Sequence, residues 1–140
     1  KHLNRLEQVL ARAEWGEGLA EGGFAEGLMR DNKNNNVIEG TMSNLFSVQS
    51  TASGALLKTP LLDQCGVRGV TRDCILQAAT GLGIETQETN ISLDELFQSE
   101  ELFLSNSLIG IWPIRQLEQR VFPVGPLTTR LSQLLESMNE

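Results

Sequence analysis

Lys1-His2-Leu3-Asn4-Arg5-Leu6-Glu7-Gln8-Val9-Leu10-Ala11-Arg12 opens a chain of 140 residues, and the fold of this stretch decides what the later segments can pack against. Leu3, Leu6, Leu10 and Ala13 recur at helical spacing, and Asn4 followed by Glu7 has the form of a capping box. The spacing predicts an amphipathic helix with Lys1 on its approach. A lysine there can be a reactive amine, because a helix end and partial desolvation favour its neutral form. On position alone a solvated surface charge is much the commoner case.

Beyond that segment the pattern is mixed α and β. A glycine-rich connection over 14–23 leads to a strand over 24–29. A polar turn over 31–36 then joins it to Val37-Ile38 as a hairpin. Residues 45–48 and 55–58 flank a turn at 50–54 and make a second hairpin, after which Pro60 starts a loop. Thr71 can cap a helix over 71–80 whose buried face is Cys74, Ile75, Ala78, Ala79 and Leu82, with Gly81 and Gly83 ending it. Residues 84–90 alternate like an edge strand, and Ser92-Leu93-Asp94-Glu95 is a second capping box. Leu102-Phe103-Leu104 reads as a strand entering Ser105-Asn106-Ser107. Strands over 109–114 and 120–124 follow, and Pro126 starts a helix striped by Leu127, Leu131, Leu134 and Leu135.

Composition narrows the function classes. A net charge of −7 argues against a nucleic-acid surface, which needs a basic patch. No run is long enough for a membrane-spanning helix, so the chain is expected to be soluble and cytoplasmic. Cys65 and Cys74 suggest neither a disulfide framework nor a zinc site, and with one histidine, His2, no multi-histidine metal site is expected. His2 reads as a packing or hydrogen-bonding residue beside Lys1.

Three stretches carry a family resemblance. The opening stretch is one, Val37-Ile38-Glu39-Gly40-Thr41-Met42-Ser43-Asn44-Leu45-Phe46 is the second, and Gly66-Val67-Arg68-Gly69-Val70-Thr71-Arg72 is the third. In this order they resemble the fold-type IV group of pyridoxal-phosphate enzymes, which contains 4-amino-4-deoxychorismate lyases and the branched-chain and D-amino acid aminotransferases. The resemblance runs from Lys1 to roughly Leu135. It implies an α+β fold, the fold-type IV C-terminal domain, with a mixed, barrel-like sheet core and flanking helices. It also implies that residues 1–140 are the cofactor-binding domain of a longer two-domain enzyme whose N-terminal domain is absent from this chain.

The resemblance assigns roles residue by residue. Lys1 becomes the Schiff-base lysine of pyridoxal 5'-phosphate and the general base and acid. Glu39 pairs with the pyridine nitrogen, and Asn44 ties its turn together. Val70 and Thr71, at a helix start, hold the phosphate, with Gly69 allowing close approach or a positive φ. Asn106 and Ser107 form a second phosphate-contacting turn. Arg68 and Arg72 are set aside as surface or ion-pair residues. No metal is implied.

His2-Leu3-Asn4-Arg5-Leu6 is most similar to the lyases. They convert 4-amino-4-deoxychorismate to 4-aminobenzoate and pyruvate in folate biosynthesis, as homodimers. A D-amino acid or branched-chain aminotransferase stays open, because the same residues serve both reactions. So does a non-catalytic fragment or binding module, and the 140-residue piece alone is expected to be inactive.

Overall fold

A computed structural model describes residues 3–11, 24–31, 36–40, 43–61, 69–108 and 110–138. The chain runs β1 (Leu3–Ala11), β2 (Phe24–Asp31), β3 (Asn36–Gly40), β4 (Asn44–Thr51), β5 (Gly54–Pro60), α1 (Val70–Gly81), β6 (Glu85–Thr89), β7 (Ile91–Ser92), α2 (Leu93–Phe97), β8 (Glu101–Asn106), β9 (Gly110–Leu117), β10 (Arg120–Val121) and α3 (Pro126–Met138). Expectations for the connection over 14–23 and for Lys1, His2, Cys65 and Arg68 lie outside the described residues. So do residues 32–35 of the first hairpin's turn.

The expected opening helix is a strand. β1 pairs with β2 along most of its length and with β9 through Val9, Leu10 and Ala11. Hydrogen-bond partners on both flanks outweigh a weak helical period spread over nine residues. Asn4, read as a cap, is instead the extra residue where the β1–β2 register shifts between Leu3 and Arg5.

Among the described residues ten strands form one sheet in the order β6-β5-β4-β8-β9-β1-β2-β3-β7, with β10 added on β9. β9 is the seam: Gly110–Pro113 pair with β8, and Ile114, Gln116 and Leu117 pair with β1. The core expected to be barrel-like curls but stays open. Its two ends, β6 and β7, are separated by Asn90 alone, so the chain passes from one directly into the other. Strands joined in line cannot also lie side by side, and no ladder closes the sheet among the described residues.

Alternation along the strands separates two apolar layers. On one face Phe46 and Phe103 stack, 4.9 Å between centroids, beneath Ile75 and Ala79 of α1 and Leu131 and Leu135 of α3. On the other, Leu45, Leu102, Leu104 and Ile114 pack with Leu28, Val37, Ile91 and Leu96. Each fully buried side chain of this size contributes about 1.5–3 kcal/mol.

Local signals otherwise hold. Both hairpins form, β6 is an edge strand paired with β5 alone, and Ser92 and Glu95 complete the capping box with both hydrogen bonds. Several boundaries differ: the strands expected over 24–29, 45–48 and 55–58 run on to Asp31, Thr51 and Pro60, that over 102–104 takes in Ser105 and Asn106, that over 109–114 continues to Leu117, and that over 120–124 is only Arg120–Val121. β9 is prolonged because β1 offers its second half a partner.

Candidate active site

One end of the sheet gathers most of the residues singled out by the sequence. Asn44 begins β4 and lies directly opposite Ser105 near the end of β8, on the same face as the Phe46–Phe103 stack. Asn106 and Ser107 follow at once. Gly69 precedes α1 and sits against Asn44: a Cβ on Gly69 would lie 2.6 Å from Asn44 Oδ1. The start of α1 and the end of β8 therefore flank Asn44.

The glycine is required for this approach and not for an unusual backbone. Gly69 has φ −80°, so the positive φ entertained for it is absent and only the close approach remains. It is also the N-cap, which corrects the expectation that Thr71 caps the helix. Thr71 falls inside the first turn because the Asn44 contact lets the helix begin earlier. The first intrahelical bond runs from Asp73 N–H to Gly69 O, 3.3 Å. The N–H groups of Val70, Thr71 and Arg72 thus precede the helical ladder, where the dipole favours an anion.

The other predicted residues are placed as follows. Val70 has an exposed side chain, so its contribution to this end is its backbone. Asn106 is half-buried and its Oδ1 accepts from Leu108 N–H at 2.9 Å, which shapes the turn and leaves Ser107 exposed beside it. Glu39 is half-buried on β3, opposite Met29 and directly after Ile38, the extra residue of a register shift. Such a bulge re-aims the side chain that follows it. Gly40 N–H donates to Ser43 O at 2.8 Å, which ties the end of β3 to the residue before Asn44. Lys1 lies outside the described residues.

Two residues named in the sequence, Ser105 and Arg72, take on a weight that their spacing alone did not give them. Ser105 is fully buried, and its hydroxyl has no hydrogen-bond partner among the described residues. Leaving such a group unpaired costs about 1–3 kcal/mol. Its signal was the alternation Phe103-Leu104-Ser105, which puts Ser105 on the face of Phe103. Arg72, set aside as a surface or ion-pair residue, does form an ion pair but is 0% exposed. Its signal was helical: Arg72, Ile75 and Ala79 form one buried stripe.

This end fits a phosphate-bearing ligand on two structural grounds. Space cleared by the missing Cβ of Gly69 keeps the start of α1 tight against β4, and a buried hydroxyl without a partner stands at the adjoining strand end. Backbone donors at a helix start plus hydroxyls from a neighbouring turn are the donor set that a phosphate requires.

The mixed sheet with its flanking helices has the α+β architecture of the fold-type IV class. The chain belongs to the Amino-transferase class IV family, whose profile matches residues 1–117. Members of this group use pyridoxal phosphate. The aminodeoxychorismate lyase of Vibrio harveyi is 38% identical over 135 residues, covering 94% of this chain and 46% of that protein. The 4-amino-4-deoxychorismate lyase structure from Pseudomonas aeruginosa is 42% identical with a TM-score of 0.76, covering 84% of this chain and 42% of that one. The branched-chain-amino-acid aminotransferase of Escherichia coli is 33% identical over 114 residues, covering 79% of this chain and 35% of that protein. The chain thus spans about half the length, or less, of these relatives.

Proposed function

We propose that this chain is the C-terminal, cofactor-binding domain of a two-domain pyridoxal-phosphate lyase that converts 4-amino-4-deoxychorismate to 4-aminobenzoate and pyruvate. The observation that carries the cofactor assignment is the meeting of the α1 start with Asn44 and the unpartnered Ser105 hydroxyl. The choice of reaction rests on His2-Leu3-Asn4-Arg5-Leu6, since lyases and aminotransferases both match the chain at similar identity.

In this reading the backbone N–H groups of Val70 and Thr71, with Asn106 and the Ser107 hydroxyl, hold the phosphate. The carboxylate of Glu39 keeps the ring nitrogen protonated. When bound, pyridoxal phosphate supplies an electron sink for charge developing at the substrate carbon that bears the amine. Lys1 holds the cofactor and then moves the proton at that carbon, leaving pyruvate to depart as the ring becomes aromatic. The same reading makes the full-length protein a cytoplasmic homodimer serving folate biosynthesis.

A transaminase reading is favoured by the aminotransferase relatives and is separated by one assay. Full-length protein given 4-amino-4-deoxychorismate should release pyruvate without any keto-acid acceptor. Strict dependence on an acceptor would assign the transaminase reaction instead. Lys1→Ala should abolish pyruvate release, and Glu39→Gln should lower its rate by about 100-fold, the scale of a displaced proton-handling group. A full-length protein that takes up no pyridoxal phosphate leaves only the binding-module reading.

A further inference from the structure

Arg72 is the largest fully buried side chain of the described residues, and it stands in the first turn of α1. Its Nη2 donates to Pro60 O at 3.1 Å and to Glu88 Oε1 at 3.0 Å. Asp73 Oδ1 lies 3.6 Å from Nη1, while Nε and Nη1 make no hydrogen bond among the described residues. Pro60 ends β5 and Glu88 lies on β6, which runs parallel to β5 at the sheet edge. This is also the end of the sheet that holds Asn44. Thr59, next to Pro60, donates to Leu45 O at 2.7 Å, which ties β5 to the start of β4.

A buried guanidinium with incomplete hydrogen bonding is a poor way to gain stability, since a well-packed apolar side chain there would cost less desolvation. What the arginine achieves is placement. Gly69 rests on β4 and Arg72 is bolted to β5 and β6, so the donors between them, Val70 and Thr71, are fixed from both sides. Glu88 and Asp73 answer the charge of the guanidinium, so what it supplies is the placement of the turn and not a free cation.

We propose that Arg72 is a positioning residue for the phosphate group: it orients the first turn of α1 without touching the ligand. This rests on the cofactor reading above. Its signature is selectivity for the phosphate, which a purely structural role does not produce.

The test uses the full-length protein, freed of cofactor and titrated with pyridoxal phosphate and, separately, with pyridoxal. In Arg72→Met the affinity for pyridoxal phosphate should fall about tenfold, equivalent to ~1.4 kcal/mol, while that for pyridoxal changes less than about twofold. Arg72→Lys, which keeps the charge and can reach one acceptor, should recover most of the loss. If Arg72→Met does not fold, Arg72→Gln keeps two hydrogen-bonding atoms without charge and should show the same selective loss. An unchanged ratio of the two affinities in a folded Met or Gln variant overturns the proposal. A wild-type protein that does not distinguish the two compounds removes the cofactor reading and this inference with it, whereas a wild-type preference that survives the substitutions removes the inference alone. Inorganic phosphate provides a second readout: it should raise the melting temperature of the cofactor-free wild type and not of the Met variant.

Discussion

The starts of α1 and α3 are built alike and end differently. Each helix follows a glycine whose missing Cβ clears room for a side chain from the sheet. At α3 the room before the helix, at Gly125, is filled by the carboxylate of Glu101, which accepts from Leu127 N–H, Thr128 N–H and the Thr128 hydroxyl. At α1 the room at Gly69 is filled by the neutral amide of Asn44. One helix start thus carries its own anion, and its dipole is answered within the chain. The other is held in place by a neutral group, with the Arg72–Glu88 pair bracing it from behind. A buried helix start answered by an internal carboxylate is structural, and one braced without such an anion can receive one from outside.

Removing the internal anion should have the largest effect. Glu101→Ala strips a buried carboxylate from three donors and should destabilise the protein by about 3 kcal/mol in urea unfolding, with about half of that for Glu101→Gln. Neither should alter the preference for pyridoxal phosphate over pyridoxal. A changed preference would show that the two helix starts are not separate in function.

Crowding the other start should show the opposite profile. Gly69→Ala forces a methyl against Asn44 Oδ1, and moving that buried amide should lower pyridoxal-phosphate affinity about tenfold at a stability cost of about 1–2 kcal/mol. Normal affinity in this variant would mean that the Asn44 contact does not set the donors. α2 supplies a control, since its start is closed by the Ser92–Glu95 box. Ser92→Ala should cost about 1 kcal/mol and leave cofactor affinity untouched. The smallest loss of stability is expected from Ser105→Ala, which removes a buried hydroxyl without a partner and should leave unfolding unchanged or raise stability by about 1 kcal/mol. If that hydroxyl serves the phosphate, affinity should still drop about threefold, and unchanged affinity would exclude it from the site.

The same contrast separates what was legible in the sequence from what was not. The Ser92–Glu95 box, the hairpin turns and the apolar stripe of α3 were readable because each is completed within a few residues. Arg72 and Ser105 were half-legible. Their faces followed from spacing, but a polar residue on a core face has no meaning until its neighbours are known. Glu101 carried no local signal, since its partners Leu127 and Thr128 lie far along the chain.

By itself the sequence determined the family, the α+β class, the elements closed by local bonds, and which residues are candidates for the cofactor. Tertiary structure decided that the opening stretch is a strand, because β2 and β9 supply hydrogen-bond partners that nine residues cannot provide for themselves. It also decided that Gly69, Asn44, Ser105 and Arg72 form one end of one sheet. Local rules act over a turn or a hairpin, whereas this convergence depends on strand order, which is set by burying both faces of the sheet at once.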